Sequence, residues 1–160
     1  MIDNTHTLTV ERTLNAPRDK IWRCWTDPDL LKQWYVPKPW YIPTVDLDVR
    51  PGGRCNFTMA GPDGERIENV GCYLEVTSQE RLVFTDGYSE DFMPRPDGFM
   101  TGVVKLSDAG KGQTKMLWSA RHATPELKQK HLDMGFEQGW NACVDQLAAL
   151  CETQTKTGTI

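Results

Sequence analysis

A chain of 160 residues is the size of one domain, and a domain of that size buries roughly 68–70% of its unfolded surface without needing disulfides or a metal. Eighteen Lys and Arg against 22 Asp and Glu leave a net charge of −4, which argues against a nucleic-acid partner. With 39% hydrophobic and 25% charged residues the composition is that of an ordinary globular protein.

The leading residues Met1-Ile2-Asp3-Asn4-Thr5 carry no basic stretch followed by an apolar one, so no signal peptide is expected. No apolar run reaches the length of a membrane span, and the expected compartment is the cytoplasm. A first strand is predicted over 8–14, with Leu8, Val10, Arg12 and Leu14 on one side. Asn15 and Pro17 then start a short helix over 17–25, whose stripe is Ile21, Trp22 and Trp25. Asp27 as cap and Pro28 as first residue open a second short helix carrying Leu30, Leu31 and Trp34.

Residues 34–43 hold three prolines and four aromatic rings, which fits a loop pinned to the core or forming a cavity wall. Five further strands are predicted over 44–49, 54–60, 65–77, 81–85 and 99–107, and a sixth over 113–121. Gly71 is the expected bulge point of the long strand 65–77. Hairpin-length links between most of them predict an antiparallel meander. The longer loop 86–98, with Tyr88, Phe92, Met93, Asp86, Glu90 and Asp91, is read as a solvated loop or a cavity-mouth lid. Thr124 and Pro125 open a final helix to about Cys151, docked through Phe136, Trp140, Cys143, Val144, Leu147, Leu150 and Cys151, while Leu127, His131 and Met134 fall on a different face open to a cavity role. Gly135 and Gly139 interrupt it, and 152–160 is read as a frayed tail. The domain is therefore placed over 1–160 with its core at about 8–151.

The five cysteines have no C-x-x-C spacing and read as small buried hydrophobes. There is no G-x-S-x-G, H-E-x-x-H or phosphate loop. His122 and His131 are expected to approach each other near the cavity mouth. With Asp86, Glu90 or Glu137 they would make an acid–base pair or a metal site, although a hydrogen-bonded His is the plainer reading. No cofactor is expected.

Ala16-Pro17, Ile21-Trp22, Trp25-Thr26-Asp27-Pro28 and Trp34 are followed in order by Asp48-Val49-Arg50-Pro51-Gly52-Gly53 and Gly71-Cys72-Tyr73-Leu74-Glu75-Val76. Glu80-Arg81-Leu82-Val83-Phe84-Thr85 and Met134-Gly135-Phe136-Glu137-Gln138-Gly139-Trp140 with Leu147 complete the set. This ordered set resembles the SRPBCC (START-like, birch-pollen-allergen-like) superfamily, in its bacterial branch of homologues of the heat-shock-protein-90 ATPase activator. The resemblance implies an α+β helix-grip fold: a seven-stranded curved antiparallel sheet, two short helices and a long C-terminal helix around an apolar cavity. It implies no single activity. The first expectation is binding of a small hydrophobic or amphipathic ligand. An enzyme of polyketide cyclase or dehydratase type is the second, with Tyr73, Arg121, His122, His131 or Glu137 as its polar residues. Activation of a heat-shock-protein-90-type ATPase is the third, and a homodimer is also compatible. The residues expected to line the cavity are Trp34, Tyr35, Trp40, Phe57, Met59, Phe84 and Tyr88, with Phe92, Met100, Trp118, His122, His131 and Met134.

Overall fold

The computed structural model describes residues 5–157. The residues read against a signal peptide, 1–4, and the end of the expected tail, 158–160, lie outside the described residues. Strand β1 (Thr7–Leu14) leads into α1 (Arg18–Thr26) and α2 (Pro28–Leu31). Strands β2 (Tyr41–Leu47), β3 (Cys55–Ala60), β4 (Arg66–Asn69), β5 (Cys72–Thr77) and β6 (Arg81–Thr85) follow. A small hairpin of β7 (Tyr88–Ser89) and β8 (Met93–Pro94) precedes the long strands β9 (Thr101–Gly110) and β10 (Gln113–Arg121). Helices α3 (Pro125–Asp133) and α4 (Phe136–Thr157) end the chain.

The architecture is α+β and antiparallel throughout, but the sheet is not one surface of seven strands. Five strands run in the order β1-β10-β9-β6-β5, and a separate three-stranded sheet runs β2-β3-β4. The expected strand 65–77 breaks at Val70-Gly71, which splits it into β4 and β5. The break has a steric cause. A Cβ on Gly71 would stand 2.7 Å from the Thr85 carbonyl oxygen, so only glycine lets the two backbones come this close. The sheets meet at a short seam: a single bridge pairs Arg54 with Cys72. Beside it Cys55 N–H donates to the Gly71 carbonyl and Tyr73 N–H to the Gly53 carbonyl.

Proline shapes two further elements. Pro43 sits inside β2, an edge strand whose register shifts between Tyr41 and Thr44, where a residue without an N–H is tolerated. Residues 41–43, read as loop from the prolines, are thus strand. In α1 the carbonyl of Cys24 would accept from the N–H of residue 28, but residue 28 is proline. The indole of Trp34 replaces that donor, its Nε1–H lying 2.9 Å from the Cys24 oxygen. Asp27 caps α2 as expected, accepting from the N–H groups of Asp29 and Leu30. Asn15 does not cap α1; its N–H donates to Glu152 of α4 at 2.8 Å.

The C-terminal helix is two helices. Thr124 caps α3 by accepting from Leu127 N–H, with Pro125 in the first turn. Gly135 then takes φ +91°, a left-handed conformation that glycine adopts readily, and the chain turns into α4. Gly139 lies within α4 without breaking it. The helix continues to Thr157, beyond the Cys151 end expected from the sequence. Its buried residues Phe136, Cys143, Val144, Leu147 and Cys151 pack on the sheet. Arg12 of β1 pairs with Asp145 at 2.9 Å. The Gln146 amide donates to the carbonyls of Trp34 and Val36 and accepts from Lys38 N–H, which ties loop 34–38 to α4.

Candidate functional site

The space between sheet and helix, where the sequence leads one to expect a cavity, is mostly filled by aromatic rings. Trp25 stands edge-on to Trp34 and Trp118, with centroids 4.6 and 5.0 Å away. Tyr35 meets Phe57 at 5.3 Å and Trp118 at 5.8 Å. Behind this cluster, between Trp25, Tyr73, Leu82 and Phe84, only about 10 Å³ remains, room for roughly one water. Among the described residues the indole N–H groups of Trp25 and Trp118 have no hydrogen-bond partner. Both rings stand in edge-to-face pairs, where π-faces are the available weak acceptors.

Outside the cluster lies an open cleft of about 340 Å³ between the α3–α4 bend, β3–β4 and the start of β9. It is a side cleft rather than the enclosed cavity that the sequence leads one to expect. Trp118 and Trp140 form one wall, stacked 3.8 Å apart, and Phe136 lies 4.5 Å from Trp140. Its rim is apolar and exposed: Met134 at 65% and Ile67 at 49%.

The structure brings Tyr35, Phe57, Met59 and Met100 to this cleft, together with Trp118, His131 and Met134. It places the other expected residues elsewhere. Trp34 is fully buried behind Tyr35, and Phe84 packs over Gly102 inside the core. Trp40 lies against Gly61 at the far end of the three-stranded sheet. Tyr88 and Phe92 face each other at 6.5 Å in the β7–β8 hairpin, and Phe92 rests on Gly52. That hairpin does not line the cleft, because Arg54 holds Glu90 at 2.7 Å and Asp91 N–H donates to the Gly52 carbonyl. Sequence reasoning missed Phe99 and Asn69, and it assigned Phe136 and Trp140 wholly to helix docking. The docking stripe was the one available signal for the last two.

The two histidines meet. His122 Nε2 and His131 Nδ1 lie 2.9 Å apart, and His122 Nδ1 lies 2.8 Å from the His6 carbonyl oxygen. A carbonyl only accepts, so His122 carries its proton on Nδ1. In the neutral pair His122 Nε2 then accepts from His131 Nδ1–H, an assignment that rests on these partners. Phe99, Phe136 and Trp140 surround the His131 ring at 4.9, 5.0 and 5.6 Å. Burial first, and then the neighbouring His122, push the His131 pKa down to about 4.

His122 itself faces an adjoining surface recess with Arg121, and Phe99, Met100 and Asp86 border both spaces. Asp86 Oδ1 accepts from the N–H groups of Phe99 and Met100 at 2.7 and 3.0 Å, which fixes the start of β9. Among the other polar residues considered for chemistry, Tyr73 is buried away from the cleft, its phenol pushed far up by burial. Glu137 is exposed on α4. Among the described residues no three His, Cys, Asp or Glu side chains converge as a metal centre. No described helix is long and apolar enough to cross a membrane.

The family model described as Activator of Hsp90 ATPase homolog 1-like protein matches residues 15–152. The chain belongs to this family. A crystal structure of a Nitrosomonas europaea protein is 37% identical with a TM-score of 0.92, covering 97% of this chain and 99% of that one. A Mycobacterium smegmatis protein of known structure is 32% identical with a TM-score of 0.80, covering 94% of each chain. A solution structure from Arthrobacter aurescens, 24% identical with a TM-score of 0.78, covers 94% of this chain and 88% of that one and shares the fold. No curated protein matches the chain.

Proposed function

We propose that this protein binds a small, largely apolar molecule in the cleft between the α3–α4 bend and strands β3 and β4. The supporting observation is a space of about 340 Å³ walled by Tyr35, Phe57, Met59, Trp118 and Trp140 and open at Met134. Small-molecule sites of about 300–1,000 Å³ with apolar walls and a few polar groups are the usual pattern. His131 is the polar side chain set among the rings of this wall.

Two measurements test the reading. Native mass spectrometry of the freshly purified protein would release a discrete extra mass on denaturation. Titration with 2-naphthol would quench the fluorescence of Trp118 and Trp140 in a saturable way, and Gly139→Leu, which projects a side chain into the cleft, would weaken it. A bare mass together with no saturable quenching up to the solubility of 2-naphthol would reject the reading.

A further inference from the structure

The cleft's polar groups specify more than apolar binding. His131 is 8% exposed, and its Nδ1 is engaged with His122. Its Nε2 has no hydrogen-bond partner among the described residues, while the side chain lines the cleft. The chain of hydrogen bonds that starts at the His6 carbonyl fixes which atoms carry protons. The carbonyl makes His122 Nδ1 a donor, His122 Nε2 is then an acceptor, and His131 Nδ1 must donate to it. In neutral His131 the remaining nitrogen, Nε2, is therefore an acceptor and cannot donate.

Among the described residues the lining contains no Lys or Arg, and its one carboxylate is Asp86. A ligand carboxylate placed there would lose its water without gaining a cation, beside a charge of its own sign. The wall itself is flat: Trp140 is stacked on Trp118 at an interplanar angle of 20°, with Phe136 beside it. Flat rings pack on such a wall face-on or edge-on.

Given that the cleft binds a ligand at all, we propose that its ligand class is a neutral, planar aromatic molecule carrying a hydroxyl or N–H donor, which His131 Nε2 accepts, and that carboxylates are excluded. His122 acts as a positioning residue, holding the His131 tautomer.

Three probes of one ring size separate the possibilities by calorimetry at pH 7: 2-naphthol, 2-methoxynaphthalene, which lacks the donor, and 2-naphthoate. The expected order is 2-naphthol tightest, by about five- to tenfold over the methoxy compound, and 2-naphthoate weakest. In His131→Phe, which keeps a ring among Phe99, Phe136 and Trp140, the 2-naphthol advantage disappears while methoxynaphthalene affinity is kept. Equal affinity for 2-naphthol and 2-methoxynaphthalene in the wild type overturns this inference and leaves the apolar-binding reading standing. Tightest binding of 2-naphthoate, or an advantage that survives in His131→Phe, overturns it as well. If no probe binds, this inference falls, and native mass spectrometry of the freshly purified protein decides separately whether the apolar-binding reading falls with it. Should His131→Phe fail to fold, the order of the three probes on the wild type decides alone.

Discussion

Trp140 of α4 lies nearly flat on Trp118 of β10, their ring centroids 3.8 Å apart. This one stack joins the C-terminal helix to β10, an inner strand of the five-stranded sheet, and also forms a wall of the cleft. Trp140→Ala removes it, and the expected loss is about 3 kcal/mol, read as a lower urea midpoint. An unchanged midpoint would mean that α4 is held by its aliphatic face alone.

Gly139 offers the opposite experiment. It sits inside α4 and on the cleft, and a Cβ built there meets no atom within 4 Å. Gly139→Leu should raise stability by up to about 1 kcal/mol through helix propensity while occupying the space a ligand needs. Thermal unfolding checks the first half and 2-naphthol titration the second. A drop in melting temperature would contradict the open geometry around this residue.

The buried histidine gives a pH dependence of known sign. His131 titrates near 4 in the fold, against an ordinary value of 6.5, because burial and then His122 disfavour its charged form. The unfolded chain therefore takes up this proton first as pH falls. Stability from this group is complete above about pH 6.5 and is lost progressively towards pH 4, on the order of 2–3 kcal/mol. Urea midpoints at pH 7 and pH 4.5 should fall further apart in the wild type than in His131→Phe. Equal falls in both proteins would show that other groups set the acid sensitivity.

Two tryptophans separate a hydrogen bond from packing. Trp34→Phe and Trp25→Phe remove the same atoms from buried positions. Only Trp34 has a partner, the Cys24 carbonyl that Pro28 leaves without a helix donor. Trp34→Phe should be the more destabilising by about 1–3 kcal/mol, because it strands that oxygen. Equal losses in chemical denaturation would argue that the carbonyl finds another donor.

Burial raises the thiols of Cys24 to about 11 and of Cys55, Cys143 and Cys151 to about 12, and Cys72 is fully buried. A thiol held protonated is a poor nucleophile. The native protein should therefore resist a disulfide-exchange reagent at pH 8 and release the full thiol count only in denaturant. Fast labelling of any one cysteine in the native state would mark a local opening at that site.

Much of this fold can be read from punctuation in the sequence. Asp27-Pro28 and Thr124-Pro125 open helices where expected, and Gly135 ends α3. The split of the sheet cannot be read this way, since its cause is the approach of Gly71 to the Thr85 carbonyl, a contact between strands. Neighbours in sequence also part company. Trp34 is sealed in the core while Tyr35 reaches the cleft, and composition treats both as surplus aromatics. Tyr88 and Phe92 look like lid residues until Arg54, 36 positions before Glu90, draws the hairpin away. The proximity of His122 and His131 follows from element order, but their proton positions depend on a carbonyl 116 residues distant.

A sheet that divides in two has twice as many margins to defend against other chains. In the three-stranded sheet both margins carry features that discourage such pairing. Pro43 takes a donor out of β2 next to a register shift, and β4 presents Arg66 and Glu68. Interrupted donor rows and charged side chains make a strand a poor template for adding another copy. The opening beside β4 thus lies next to a border that carries charged side chains, and Ile67 is the one large apolar residue that β4 leaves exposed.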